Sequence, residues 1–95
     1  MGTKKAHASH ILVNSKAEAI QIKVLINKAQ DFEKFAMKKS SCPSGKRGGD
    51  LGWFQEGQMV QEFDDAVWSI ELNKCSQPIK TEFGHHLIWV HERNE

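Results

Sequence analysis

The sequence predicts an α+β domain, and three observations carry that prediction. Ser15 followed three residues later by Glu18 is a capping box that opens a helix. Phe63, Ala66, Val67 and Ile70 recur at helical spacing well downstream. The run HHLIWVHER, His85 to Arg93, alternates as a strand does, with His86, Ile88 and Val90 on one face and His85, Leu87, Trp89 and His91 on the other. With 95 residues the chain makes one domain with a modest core, and residues 1–95 are read as that single unit.

The elements follow in order. Ala8 to Val13 (ASHILV) is the first strand, stopped by Asn14 and Ser15. A helix begins at Lys16; Ala17, Ile20 and Val24 form one apolar stripe and Ala19, Ile22 and Ile26 another, so spacing leaves open which half faces the core. Asp31 is expected to cap a second helix carrying Phe32, Phe35 and Ala36 on one face and ending in the cationic Lys38-Lys39-Ser40. The stretch SSCPSGKRGGDLGWF, Ser40 to Phe54, then holds one cysteine, one proline, two basic side chains and four glycines before an apolar pair. Within it Leu51 to Phe54 reads as a short strand, closed by a turn at Gln55-Glu56-Gly57. Val60 to Ile70 returns to helical spacing with Asp64 and Asp65 outward, and Asn73 to Lys80 is extended because Pro78 excludes a helix interior. Thr81 to Gly84 turns into the last strand. The order is β-α-α-(α)-β-α-β-β, with no internal repeat.

Composition removes several classes of function. Thirteen Lys and Arg against 12 Asp and Glu leave a formal charge of +1, far from a nucleic-acid binder. Two cysteines, Cys42 and Cys75, allow at most one disulfide and match no zinc ribbon, so a reduced, cytoplasmic protein is expected. The longest apolar run, Leu87 to Val90, is too short for a membrane span or a signal-peptide core, and Ala6 breaks the myristoylation pattern that begins with Met1-Gly2. No membrane partner is expected.

The basic, glycine-rich loop first suggests phosphate binding, but Gly45-Lys46 is followed by Arg47, with Ser40 where a Walker loop needs its first glycine. Five histidines and two cysteines invite a metal, yet ligand spacing is missing, and His85 and His86 leave opposite faces of one strand. A covalent enzyme would use Cys42 as thiolate and His86 or His10 as base, but no local signature of such families surrounds Cys42. Met59 and Phe63 four residues apart read as core packing, Cys75 beside Leu72 and Ile79 as a small buried hydrophobe, and Lys46 and Arg47 as a solvated loop tip.

Four ordered blocks go further. ASHILV, SSCPSGKRGGDLGWF, GQMVQEFDDAVW (Gly57 to Trp68) and TEFGHHLIWV (Thr81 to Val90) together resemble the parvulin family of peptidyl-prolyl cis/trans isomerases in its single-domain, PpiC-like form, from about Ala8 to Glu92. The resemblance implies a four-stranded antiparallel sheet surrounded by about four helices, with the first and last strands adjacent and His10 beside His86. It implies a catalytic set of His10, Cys42, His86 and Thr81, and a cup for the substrate proline made by Leu51, Met59 and Phe63 with Phe83 closing one wall. Relatives carry cysteine or aspartate at the position of Cys42, which argues against covalent attack. The implied activity is rotation about X–Pro amides with no cofactor and no metal, by a monomer acting on proline-containing peptides and unfolded or partly folded proteins. A proline-binding chaperone module on the same scaffold is the alternative. Phosphate-directed parvulins carry an Arg/Lys-rich insertion after the first strand; here Val13 runs through Asn14 and Ser15 into the helix with only Lys16, so phospho-specificity is not expected. Lys46 and Arg47 are left to favour an acidic residue near the proline, there is no WW domain, and Trp53 has no assigned role.

Overall fold

The two ends of the chain make its most extensive pairing. In the computed structural model, which describes residues 4–94, strand β1 (Lys5–Val13) runs antiparallel to β4 (Gly84–Asn94) from Lys5 opposite Asn94 to Val13 opposite His85, with a bulge between His7 and Ala8. Strand β2 (Asp50–Gln55) pairs with the other edge of β1, and the short β3 (Ile79–Thr81) with the other edge of β4. The sheet order is therefore β2-β1-β4-β3, all antiparallel. Met1 to Thr3, which hold the start of the broken myristoylation pattern, and Glu95 lie outside the described residues.

Strand alternation explains why both faces of the sheet are covered. Ile11, Val13, Leu87 and Trp89 on one face pack against Ala19 and Ile22 of α1 (Lys16–Val24), Ile26 of the connection that follows, and Phe32 and Ala36 of α2 (Ala29–Lys39). Ala6, Ala8, Ile88 and Val90 on the other face pack against Phe54 and against Phe63, Ala66 and Val67 of α3 (Gln61–Val67). The open question about α1 is settled by this packing: Ala19, Ile22 and Ile26 are buried, while Ile20, Val24 and Leu25 face solvent.

Several boundaries differ from expectation, each for a physical reason. β1 begins at Lys5 rather than Ala8, because Lys5, Ala6 and His7 pair on both edges, with β2 and with β4. The hydroxyl half of the capping box holds, Ser15 Oγ accepting from the Glu18 N–H at 3.1 Å. Asp31 does not cap α2; Lys28 stands at that position in extended conformation, and the Asp31 carboxylate accepts from the Asn27 N–H at 3.0 Å. Asp64 is half-buried rather than turned outward, accepting from the Gly57 N–H and the Trp68 indole, so it ties the preceding turn to α3. α3 ends at Val67, and where an extended stretch is expected over 73–80 the paired strand is Ile79–Thr81, preceded by isolated bridges from Leu72 to Val90 and Cys75 to Trp89. The described residues form three α-helices and, as the remaining helical piece, a 3-10 turn at Pro43–Arg47 whose first position is proline.

That turn belongs to a loop that continues the sheet where β2 stops. β2 pairs with β1 only as far as Ser9 opposite Asp50. Beyond it the His10 N–H donates to the Gly49 carbonyl at 3.0 Å, the Ser41 N–H to the Leu12 carbonyl at 2.7 Å, and the Leu12 N–H to Ser40 Oγ at 3.1 Å. The loop thus satisfies the open edge of β1 and sets Cys42 beside it. Gly49 has φ +84°, and a Cβ there would lie 2.4 Å from the His10 carbonyl oxygen. Gly52 has φ +70° but open space around it. Gly49→Ala is accordingly expected to destabilise the fold by more than about 2 kcal/mol, whereas Gly52→Ala, bearing only the backbone penalty, loses about 1 kcal/mol; denaturant unfolding of the two variants measures the difference.

Candidate active site

His10 and His86 come from neighbouring strands. The register sets His10 opposite Ile88 and His86 opposite Leu12, so the two are diagonal neighbours on the face covered by α3. Their Nδ1 atoms lie 3.0 Å apart and their rings are nearly parallel, 5.2 Å between centroids. Phe63 meets both imidazoles edge-on, at 5.6 and 5.5 Å. Behind them Thr81, at the end of β3, lies 2.7 Å from His86 Nε2 through Oγ1, and the Phe83 N–H donates to that same oxygen at 3.2 Å.

These contacts assign the protons. With Thr81 Oγ accepting from Phe83, its own O–H is satisfied by donating to His86 Nε2. His86 must then carry its proton on Nδ1 and donate it to His10 Nδ1, which leaves the His10 proton on Nε2. The opposite direction would strand the Thr81 hydroxyl proton. Nε2 of His10 is buried and, among the described residues, has no hydrogen-bond partner. Burial pushes the His10 pKa down to about 4, with nearby His86 adding to the effect; burial likewise lowers His86, helped by His85. The pair is neutral at pH 7 because burial lowers both rings, and two neutral imidazoles supply the one donor and one acceptor that the contact uses.

A cavity of about 400 Å³ opens over this pair. Its walls include Leu51, Met59, Phe63, Phe83, Cys42, His10 and His86, so seven of the eight side chains expected from the sequence converge there. Thr81 is the eighth, and it stands behind His86, buried, away from the wall. Phe63 is buried, Leu51 and Met59 are half-buried, and Phe83 is largely exposed at the mouth. Cys42 is half-buried and free, its N–H donating to Ser40 Oγ at 3.3 Å; no hydrogen bond joins its thiol to either imidazole among the described residues. Leu12, Ser41, Pro43 and Val60 complete the lining and were not foreseen. For Leu12 a signal existed: it lies two residues from His10, hence on the same strand face.

Two other clusters stand apart from this cavity. On the opposite face, His7 Nε2 donates to Asp50 Oδ1 at 2.9 Å, His91 Nε2 lies 2.9 Å from Ser9 Oγ, and Trp53 stacks on His7 at 5.7 Å, which gives that exposed indole a packing partner. Cys75 is half-buried beside the core, its thiol pushed up to about 11 by burial against the opposing pull of Lys23. Among the described residues no three His, Cys, Asp or Glu side chains converge to hold a metal ion, and no helix is long and apolar enough to cross a membrane.

The sheet order, the histidine pair and the apolar cup agree with a sequence match to the PPIC-type PPIase domain across residues 1–94. The chain belongs to that family. Parvulin domains are its structural neighbours: the parvulin of Nitrosopumilus maritimus superposes with a TM-score of 0.79 at 36% identity, covering 97% of this chain and all (100%) of that one. A SurA-like chaperone of Campylobacter jejuni superposes with a TM-score of 0.93 at 33% identity over 98% of this chain and 40% of its own. The foldase protein PrsA of Geobacillus sp. (strain WCH70) is 45% identical over 92 residues, which are 96% of this chain and 33% of that protein. The chain spans about a third of the length of curated relatives it matches. The α+β class and the four-stranded antiparallel sheet of the parvulin domain hold as expected, the helix count being three plus the 3-10 turn.

The neutral pair has a consequence for stability. Unfolding returns His10 to its ordinary value of 6.5, so between pH 6.5 and about 4 the unfolded chain binds a proton that the folded parvulin domain refuses. Stability is therefore full above pH 6.5 and is lost as pH falls, by on the order of 3 kcal/mol at pH 4 from His10 alone. Urea unfolding across this range checks the slope, which is expected to flatten in His10→Asn.

Proposed function

We propose that this domain catalyses cis/trans rotation about X–Pro amide bonds in peptides and partly folded proteins, without covalent attachment to the substrate. The observation that carries the reading is the apolar cup over a neutral histidine pair, sized at about 400 Å³ for a pyrrolidine ring and its flanking peptide, in a chain of the PPIC-type family.

Rotation must break the partial double bond of the amide against a barrier of about 18–20 kcal/mol. At the twisted transition state the carbonyl loses conjugation and its oxygen loses negative charge, so the twisted form needs less solvation than the planar one. A dry, apolar cup then favours the transition state differentially. In this reading Leu51, Met59 and Phe63 grip the ring, Phe83 closes the mouth, and the acyl side turns past Cys42. His10 and His86, kept neutral by burial and held in one tautomer by Thr81, place no charge near the moving carbonyl. Cys42 tunes the local field as a polar group; its thiol makes no hydrogen bond to either imidazole among the described residues, which supports that role over nucleophilic attack. A substrate without phosphate is favoured, since the turn from β1 into α1 carries only Lys16 as a cation. The reading keeps a monomer in a reducing, cytoplasmic setting, which the unpaired Cys42 and Cys75 support.

Exchange NMR on a panel of X–Pro peptides tests the activity: line broadening and exchange cross-peaks that grow with enzyme are expected, and their absence across the panel would overturn the reading. Met59→Ala removes half-buried apolar contact worth about 1 kcal/mol and is expected to lower kcat/KM about fivefold, while Cys42→Asp retains turnover. A chaperone reading, in which the cup captures proline segments without turning them over, is favoured by one observation, the description of the Campylobacter neighbour as a chaperone. Shifted peptide resonances with unchanged exchange rates would select it.

A further inference from the structure

The segment Ser41-Cys42-Pro43 has a hollow on each side. Inward lies the proline cup; outward a second depression of about 340 Å³ is walled by the same three residues together with Met37, Ser40 and Lys46. A peptide that seats its proline in the cup and crosses the Cys42–Pro43 ridge lays the neighbouring side chain into this outer depression.

The chemistry of the outer depression is specific in sign. From residue 34 to residue 49 the chain carries Lys34, Lys38, Lys39, Lys46 and Arg47 and no Asp or Glu. All five are exposed, and none of them joins an ion pair among the described residues. Lys38 and Lys39 complement the C-terminal end of α2, which accounts for their sign. Lys46 lies in the last turn of the five-residue 3-10 piece, too short to carry a dipole like that of α2, and it stands in the wall of the depression itself. Met37, 61% exposed, adds an apolar surface beside it.

We propose that this outer depression is a specificity subsite for the carboxylate of a Glu or Asp that flanks the substrate proline, with Lys46 pairing to the carboxylate and Met37 covering the methylene stem. The inference rests on the isomerase reading above. Glu suits it better than Asp, because its two methylenes span the apolar wall before the charge reaches Lys46. An exposed pair of this kind is modest and screened by salt.

The test is kcat/KM and Kd, from exchange NMR at low salt, for peptides with Glu, Gln, Lys or phosphoserine immediately before or immediately after the proline. At one of the two positions Glu is expected to exceed Gln about threefold, the advantage vanishing in 0.5 M salt, and Lys46→Glu is expected to invert the Glu-to-Lys ratio. Equal values for Glu, Gln and Lys at both positions, or a ratio untouched by Lys46→Glu, would overturn the subsite while leaving the isomerase intact. Phosphoserine exceeding Glu more than about tenfold would overturn the carboxylate assignment, because that gap is larger than one surface pair supplies. If no peptide is turned over, the isomerase reading fails, and the Glu-to-Lys ratio of Kd values alone decides the subsite.

Discussion

A hydrogen bond between two buried, uncharged imidazoles sets the terms for the rest of this domain. His10 and His86 meet at 3.0 Å on the central strands; a proton gained by the acceptor, His10 Nδ1, would break that contact, and one gained by His86 Nε2 would break the bond from Thr81, since a doubly protonated ring has no acceptor. Keeping both neutral requires burial, burial requires the Phe63 edge and the α3 helix above them, and α3 in turn requires small residues, Ala6 and Ala8, beneath it on β1. The direction of the bond is fixed at its far end by Thr81, which the Phe83 N–H leaves with one proton to give. The polar chain thus runs from the Phe83 N–H through Thr81 and His86 to His10, and its one unsatisfied end among the described residues is His10 Nε2.

The loop from Ser40 to Gly49 joins that core to the cavity by an economical device. Where β2 stops pairing, backbone groups of Gly49 and Ser41 and the hydroxyl of Ser40 take over the edge of β1. The loop is therefore a continuation of the sheet by other means, and Cys42 is positioned by strand hydrogen bonds two residues away from the histidine it accompanies. This explains why glycine is required at 49, where the backbone lies against the His10 carbonyl, and how both ends of the loop are hydrogen-bonded to β1 despite its composition.

How much of this was legible in the sequence follows from the range of each interaction. The alternation of His85 to Arg93 and the Ser15 cap are local, and both survive in the structure. The stripes of α1 were ambiguous because Ile20 and Val24 are as apolar as Ile22 and Ile26; only the neighbouring strands Ile11 and Leu87 decide between them. Asp31 was misread because an aspartate in the first turn favours a helix start in either position, through the cap or through the dipole. The start of β1 was missed because Lys5, Ala6 and His7 carry no β-branched residue, and their strand state comes from pairing on both edges. The approach of His10 to His86, 76 residues apart, left no trace in spacing and was legible only through the resemblance of four ordered blocks. Leu12 and Pro43 follow from neighbours already named, while Val60 and Ser41 reach the cavity through tertiary packing alone.

Charge in this domain is partitioned, and the partition follows from the chemistry of a twisting amide. A cation inside the cup would bind the planar amide, whose oxygen is negative, more tightly than the twisted form, and so would raise the barrier it is meant to lower. The inner walls accordingly hold neutral imidazoles, a thiol and apolar side chains. Five cations of the segment 34–49 lie exposed, and the one that reaches a cavity wall, Lys46, reaches the outer depression and is not part of the cup. Attraction for an anionic substrate can then be exerted on a flanking side chain, where it strengthens planar and twisted states alike and acts on encounter and KM, while the cup acts on the barrier. Separating the two across the Cys42–Pro43 ridge lets recognition be changed at Lys46 without altering the field felt by the rotating bond.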